Sequence, residues 1–211
     1  MKLSIHYMVL GPVQTNVYLL INDETKKCVI VDPADRADII MEQLENLNVV
    51  PAAILLTHGH YDHIGAVHAL QEHYGAEKLP VYASEAEAEV LADGFLNNSS
   101  LYGEAIEIHP DRLLSDGEVI EPAGIRMKVL STPGHTQGGC CYYLEEENLL
   151  ISGDTLFQRS IGRSDLPTGD EETLLSSIRS RLLVLPDKTQ VLPGHGGPTT
   201  ISFERSYNPF L

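Results

Sequence analysis

Short apolar runs separated by polar segments open the chain. The runs 16–22 and 28–32 are rich in apolar and β-branched residues, and they predict a hairpin that follows a first strand near 3–9. In 37–47 the apolar residues recur at helical spacing, whereas 52–56 is a short continuous apolar strand. The beginning of the chain therefore has the predicted order β, β, β, α, β.

Helices continue to alternate with strands beyond this point. Residues 64–74 carry one apolar side and predict a second helix, which a strand at 81–83 follows. Ser84 and Glu87 have the spacing of a capping box, so we expect a third helix to begin there. The segment 93–100 has the composition of a loop.

The second half of the chain repeats this organisation. It contains apolar strand-like runs near 127–130, 139–144, 149–151 and 191–192, and a helical pattern carried by Leu174, Ile178 and Leu182. Two sheets covered by helices predict a layered α/β sandwich. The 211 residues, 43% of them hydrophobic, suffice for one domain that spans 1–211.

Charge and cysteine content narrow the class of protein. Thirty acidic residues against fourteen basic ones give a formal charge of −16, which disfavours nucleic acid and an anionic membrane surface as partners. The beginning of the chain lacks a secretory signal and no run approaches a membrane span, so we expect a cytoplasmic protein. Cys28, Cys140 and Cys141 are expected to be reduced and buried, because none has a partner at ligand spacing.

Potential metal ligands are concentrated where the strand 52–56 ends. Residues two apart in an extended segment point to the same side, so His58 and His60 can converge on one metal ion. Asp62 and His63, at the following turn, can reach a second ion. The spacing therefore divides these ligands into two pairs.

Three further candidates complete this set. His135, Asp154 and His195 each follow a glycine in a segment that comes after an apolar strand. Purely structural zinc sites are usually closed, four-coordinate and often rich in cysteine, so this larger set without cysteine favours catalysis. The remaining histidines, which have no ligand-spaced partners, are assigned to the surface or the core: His6, His68, His73 and His109.

These motifs, in this order and over nearly the whole chain, resemble the metallo-β-lactamase superfamily. The resemblance implies a four-layer αββα sandwich, in which helices flank two mixed β-sheets. It also implies a first metal site of His58, His60 and His135, a second of Asp62, His63 and His195, and Asp154 as the bridging carboxylate.

Within that superfamily, the runs 150–157, 161–166 and 207–210 resemble the short glyoxalase II-like, or hydroxyacylglutathione hydrolase-like, enzymes. These cleave thioesters of the S-lactoylglutathione type, so we expect a small thioester or ester as substrate. Full-length glyoxalase II has a helical carboxy-terminal extension that binds glutathione, whereas this chain stops sixteen residues after His195. Thioester cleavage is therefore expected, and glutathione recognition is left open.

The resemblance implies two divalent metal ions, and a set of nitrogen and oxygen ligands with an open position suits zinc. Iron and manganese are alternatives, because the same ligand types accept them. We expect a hydroxide between the ions to attack the carbonyl, with Asp62 orienting it and Asp154 bridging the ions. No Gly-x-Ser-x-Gly motif of a serine hydrolase is present.

Arg163 is the candidate substrate-binding residue. It can either face an anionic substrate or form a salt bridge with nearby Asp165, and the second role is the more common one for such a pair. The loops 93–109 and 158–168 are expected to form the walls of the substrate pocket. Neither the substrate nor the oligomeric state follows from the sequence.

Other functions are compatible with the same motifs. A persulfide dioxygenase-like enzyme would use one iron held by His58, His135 and Asp154, leaving the second set of ligands without a role. A lactonase would use both ions for a closely related hydrolysis. A metal-binding module without catalytic activity would bind the ions and turn over no substrate.

Overall fold

The computed structural model describes residues 2–211, and its first sheet has six strands. These are β1 (Leu3–Leu10), β2 (Thr15–Asn22), β3 (Lys27–Val31), β4 (Val50–Leu55), β5 (Val81–Ser84) and β6 (Arg112–Leu114). They lie in chain order across the sheet. β1, β2 and β3 are antiparallel, whereas β3 to β6 are parallel, so the sheet is mixed.

The second sheet also has six strands. These are β7 (Val119–Ile120), β8 (Met127–Ser131), β9 (Cys140–Leu144), β10 (Leu149–Gly153), β13 (Gln190–Pro193) and β14 (Thr199–Thr200). Their spatial order is β14-β13-β10-β9-β8-β7, and only β10 and β13 are parallel. β11 (Leu156–Phe157) and β12 (Ser160–Ile161) pair in antiparallel orientation and form a separate two-stranded ribbon.

Helices connect the strands, and most of them pack apolar residues on the outer face of one of the two sheets. They are α1 (Ala37–Asn46), α2 (Tyr61–Ile64), α3 (Val67–Tyr74), α4 (Ala88–Ala92), α5 (Ser99–Tyr102), α6 (Glu171–Ser177) and α7 (Ile201–Tyr207). A π-helical turn, Ile178–Leu182, continues α6, and short 3₁₀ turns lie at Glu85–Glu87 and Pro122–Gly124. Within residues 2–211, no helix has the length and apolar character to cross a membrane.

Apolar side chains fill three interfaces between these layers. One cluster, with Leu19 and Ile40, lies between the first sheet and its helices. A second, with Leu20 and Tyr142, lies between the two sheets, and a third, with Leu174, lies under α6 and α7. Since β2 faces a covered interface on both sides, all eight of its residues are buried. The αββα sandwich is therefore confirmed.

The helix predicted over 64–74 is interrupted. The backbone amide of Ala66 donates to the carbonyl oxygen of Pro33 at 2.9 Å, outside the helical hydrogen-bonding pattern. Gly65 allows this approach, because a Cβ atom there would lie 2.3 Å from the carbonyl oxygen of Ala34. As a result α2 ends at Ile64, and α3 begins at Val67.

The predicted capping box at 84–87 is wrong. The Ser84 side chain makes no capping hydrogen bond, and the chain continues from β5 into a 3₁₀ turn before α4. Glu87 is 1% exposed, and its carboxylate instead contacts two other segments of the chain. The predicted loop 93–100 also contains the beginning of the short helix α5.

Each cysteine is in the buried state that its sequence context predicted. Cys28 lies in β3, and Cys140 and Cys141 lie in β9; all three are free and buried. Cys28 packs between the first sheet and its helices, and Cys140 between the two sheets, so these thiols act as small apolar core groups.

Candidate metal centre

Seven histidine and aspartate side chains meet at one edge of the two sheets. His58 and His60 follow β4, and Asp62 and His63 lie on the short helix α2 that comes next. The remaining three lie after strands of the second sheet: His135 after β8, Asp154 after β10 and His195 after β13. Strand ends therefore position the candidate ligands, as the sequence pattern predicted.

His58, His60 and His135 form one buried group. Nε2 of His135 lies 2.9 Å from Nδ1 of His60 and 3.2 Å from Nε2 of His58. One ligand atom from each of the three rings falls within 4.8 Å of the others, so the group can hold a metal ion. These are the residues expected for the first site.

The outer nitrogens of two of these rings fix the tautomer. Nδ1 of His135 donates to the carbonyl oxygen of Arg163 at 2.7 Å, which leaves Nε2 without a proton in the neutral ring. The hydroxyl of Thr57 donates to Asp32 and can therefore accept a hydrogen bond from Nδ1 of His58 at 3.1 Å. Each Nε2 atom thus directs a lone pair towards the centre of the group.

Asp62, His63 and His195 form a second group at the same edge. Oδ2 of Asp62 lies 3.4 Å from Nε2 of His63 and 3.2 Å from Nε2 of His195. Nδ1 of His63 donates to Asp32 at 3.0 Å, so in the neutral ring Nε2 carries no proton. Again one atom from each side chain lies within 4.8 Å of the others.

Asp154 lies between the two groups. Its Oδ1 atom is 3.4 Å from Nε2 of His63, and its Oδ2 atom is 3.6 Å from His135 and 3.4 Å from His195. One carboxylate therefore faces both groups at once. This is the position required of a ligand that bridges two metal ions.

Two buried atoms of the centre need a partner that the described part of the chain does not supply. Nε2 of His63 and Oδ1 of Asp154 are buried and, among residues 2–211, have no hydrogen-bond partner. Unpartnered buried polar atoms are costly, particularly where lone pairs face one another. Cations bound between the two groups would remove this cost, so the residues fit a dinuclear metal centre.

The electrostatics of the two groups differ. Burial disfavours the charged form of His63, but the carboxylates of Asp62 and Asp154 outweigh it and raise the pKa of this ring well above its ordinary value. Burial opposes the charge on Asp62 as well, yet His63 and His195 lower its pKa to about 2. Burial lowers the pKa of His58 well below its ordinary value. The imidazoles of the first group are therefore neutral, whereas the carboxylates beside His63 attract positive charge to the second group.

Supporting residues around the centre were missed by the sequence analysis. Asp32 accepts hydrogen bonds from the backbone and hydroxyl of Thr57, both at 2.7 Å, as well as from His63. Thr15 donates to Asp62 at 2.9 Å, and Asn16 donates to the backbone on both sides of the Gly194–His195 turn. The place of Asp32 after β3, the parallel neighbour of β4, could have indicated its role.

A cavity of about 410 Å³ adjoins the metal centre and reaches His60, Asp62 and Asp154. Its other walls are mostly apolar, formed by Val13, Leu101, Tyr102, Phe157, Ile161 and Leu166. The two loops expected to form these walls supply four of those six residues. The cavity therefore has the His/Asp cluster at one end and an apolar surface beside it.

Arg163 lines this cavity but is paired elsewhere. Its guanidinium group donates to both carboxylate oxygens of Asp165, at 2.7 and 2.8 Å, and both side chains are exposed to solvent. The backbone carbonyl of the same residue holds His135. The salt bridge expected for Arg163 is therefore present, and the main chain at this position supports a candidate ligand.

Comparison with known proteins identifies the family. Residues 10–195 match the family model of the metallo-β-lactamase superfamily. The chain is 42% identical over 206 residues to the probable metallo-hydrolase YqgX of Bacillus subtilis, covering 97% of this chain and 95% of that protein. It is 38% identical over 195 residues to the hydroxyacylglutathione hydrolase GloC of Haemophilus influenzae, covering 91% of each.

Solved structures agree with this relationship. The crystal structure of the BLEG-1 B3 metallo-β-lactamase is 43% identical and has a TM-score of 0.92, with 98% of this chain and 99% of that chain covered. The structure of TTHA1623 in a di-iron-bound form is 38% identical, with a TM-score of 0.86 and coverage of 98% and 100%. With the fold and the His/Asp cluster, these findings establish that the chain belongs to the metallo-β-lactamase superfamily.

Proposed function

We propose that this protein is a dinuclear metal-dependent hydrolase that cleaves a small thioester or ester of the S-lactoylglutathione type. The observation that carries the proposal is the position of Asp154, whose two oxygens face both groups of candidate ligands. His58, His60 and His135 would hold the first ion, Asp62, His63 and His195 would hold the second, and Asp154 would serve both.

Zinc is the proposed metal, because a set of imidazole and carboxylate ligands with room for substrate is typical of catalytic zinc. The same ligand types also accept iron and manganese, and TTHA1623 has been crystallised with two irons. Bound divalent ions supply an activated water at neutral pH and stabilise negative charge on a carbonyl oxygen. Metal content measured on purified protein decides between the candidate metals.

The protein's own side chains would prepare this chemistry. Asp62 faces the cavity and is held by a hydrogen bond from Thr15, so its carboxylate is positioned to orient the attacking water and accept its proton. Burial of His58 and His63 excludes bulk water from the opposite side of the centre. The substrate would then reach the centre only from the side of the cavity.

The shape of the cavity supports a small acyl substrate. Its volume of about 410 Å³ lies in the range of small-molecule sites, and the apolar walls suit an acyl chain or the thiol-bearing part of a thioester. The relative GloC is named a hydroxyacylglutathione hydrolase. Both observations support thioester hydrolysis and leave lactones as a second substrate class for the same centre.

Turnover by protein of known metal content tests the proposed function. We expect hydrolysis of S-lactoylglutathione or a simpler thioester, loss of activity after chelation, and recovery when two equivalents of Zn²⁺ are added. Lactones and β-lactams tested in parallel define the substrate class. If the two-metal protein hydrolyses none of these compounds, the proposed function is wrong.

A persulfide dioxygenase-like activity is the alternative from a different reaction class. It would require one iron, whereas the second group of Asp62, His63 and His195 is as well assembled as the first. We therefore expect no thiol-dependent oxygen consumption by the two-metal protein. Oxygen uptake with about one iron per chain would favour the dioxygenase over the hydrolase.

Arg163→Ala tests whether this residue recognises a charged substrate. Because its guanidinium group is already paired with Asp165 at the surface, we expect KM for S-lactoylglutathione to rise by less than about fivefold, the range of an exposed ion pair. Arg126→Ala is a matched control, since this exposed arginine also pairs with an acidic residue, Glu121, away from the cavity. A rise of more than tenfold for the anionic thioester alone would show direct recognition.

A further inference from the structure

A buried carboxylate outside the metal centre joins two of the segments that form it. Oε1 of Glu87 accepts a hydrogen bond from the backbone amide of Gly59 at 2.7 Å. Oε2 accepts one from the hydroxyl of Thr136 at 2.9 Å and another from the amide of Gly138 at 2.8 Å. The side chain is 1% exposed, so these three donors take the place of water.

Both segments held by Glu87 carry candidate ligands of the first metal group. Gly59 lies between His58 and His60, and Thr136 directly follows His135. The carboxylate therefore connects the main chain beside all three imidazoles of that group. The three described hydrogen bonds of Glu87 all come from these two segments, and none comes from a residue next to Asp62, His63 or His195.

Close packing fixes the position of Glu87 relative to the two ligand-bearing segments. A Cβ atom on Gly138 would lie 2.1 Å from the backbone nitrogen of Glu87, and one on Gly59 would lie 3.0 Å from Cγ1 of Val90. The segment that begins at Glu87 thus rests directly against both ligand-bearing segments. Small movements at Glu87 would be transmitted to the imidazoles, since there is no free space to absorb them.

The donor pattern also explains why a carboxylate is present. Burying a negative charge is unfavourable, and burial raises the pKa of Glu87 to about 7 despite its hydrogen bonds. An amide at this position would offer one acceptor and one NH₂ group, which would face the N–H of either Gly59 or Gly138. Only two acceptor oxygens satisfy both segments together.

We propose that Glu87 is a positioning residue that fixes the distance between the His58–His60 segment and His135, and so sets the affinity of the first metal site. The inference rests on the metal-binding part of the proposed function and does not depend on the substrate. Groups that hold metal ligands in place typically change metal affinity by about 10–100-fold when they are removed.

Glu87→Gln, combined with variants that isolate each site, tests this proposal. His195→Ala leaves the first group complete, whereas His60→Ala leaves the second group complete. Zn²⁺ affinity is measured for each by competition with a chromophoric chelator. We expect Glu87→Gln to weaken the tighter site about 10–100-fold in the His195→Ala protein and by less than about twofold in the His60→Ala protein.

Glu204→Gln provides the matched control. Glu204 is also a fully buried carboxylate, and it accepts hydrogen bonds from Arg159, Thr199 and Asn208 rather than from a ligand-bearing segment. We expect it to leave both affinities unchanged. Equal weakening of the two sites by Glu87→Gln, or no weakening of the first, would overturn the proposal.

Two further measurements keep the outcome clear. If circular dichroism shows that Glu87→Gln does not fold, Thr136→Val is used instead, because it removes one donor to Glu87 without changing the carboxylate. Unchanged affinity of the first site in that variant would overturn the proposal.

A wild-type protein that binds two ions but cleaves no thioester would contradict only the proposed function. A wild-type protein that binds no metal would contradict both.

Discussion

Asp154→Ala is expected to lower kcat/KM for the thioester by about a thousandfold, corresponding to about 4 kcal/mol, and to reduce the bound metal below two ions per chain. The reason is that Asp154 faces both candidate sites, with its oxygens 3.4–3.6 Å from three histidine nitrogens. Its removal takes away a ligand from each site and the negative charge between them. Steady-state kinetics and elemental analysis of the same sample measure the two effects.

The comparison variants for Asp154 separate charge from shape. Asp154→Asn keeps the shape of the side chain but lacks the charge needed to bridge two cations, so we expect a loss of metal there as well. Asp187→Ala removes an exposed carboxylate that pairs with Arg205 away from the centre, and it should retain normal turnover. If Asp154→Ala kept two metals and wild-type turnover, the proposed dinuclear mechanism would be excluded.

Asp32→Ala is expected to lower the free energy of unfolding of the metal-free protein by about 3–5 kcal/mol. The change leaves three buried donors without an acceptor, namely the amide and hydroxyl of Thr57 and Nδ1 of His63, and each such group costs about 1–3 kcal/mol. Denaturant unfolding measures this effect. Zn²⁺ affinity should also fall about 10–100-fold, because His63 loses the group that orients its ring.

Asp32→Asn is the informative comparison for this position. The backbone of Asp32 has a φ of 49°, in the left-handed region that asparagine tolerates better than alanine. Asparagine also keeps one acceptor oxygen towards Thr57 or His63. We therefore expect less than half of the destabilisation caused by alanine. Unfolding of Asp32→Ala within 1 kcal/mol of wild type would argue against this account.

The candidate ligands could be predicted from sequence because the signal for each is local. His58 and His60 directly follow β4, whose short apolar run is evident in the sequence. Asp154 and His195 follow strands in the same way. The arrangement of two sheets covered by helices also followed from pattern, because residues 17–21 of β2 are all apolar or aromatic and so fit a strand that is covered on both faces.

Features decided by contacts distant in sequence were not predictable in this way. Ser84 and Glu87 have the spacing of a capping box, but Gly59 and Gly138 supply hydrogen bonds to Glu87 that no local pattern reveals. The break before α3 depends on a carbonyl at Pro33. In both places a tertiary contact replaced the local hydrogen bonds that the spacing favoured.

The cavity walls illustrate a different limit. Leu101 lies on α5, a helix of four residues, and Phe157 lies on the two-residue strand β11. Elements this short carry too few residues for a periodic pattern, so the direction of their side chains depends on the surrounding structure. The residues that shape the cavity are therefore the ones whose placement the sequence pattern predicts least well.

The buried cysteines have a practical consequence for such experiments. Burial raises the pKa of Cys28 to about 12 and that of Cys141 to about 11, and it also raises the pKa of Cys140. Because the thiolate is the reactive form, none of the three should react with a thiol-sensitive dye at neutral pH while the protein is folded. In the proposed turnover assay, a free thiol released from a thioester can therefore be followed by colour in real time. Reducing agents, which would mask that signal and compete for zinc, can be left out of the buffer.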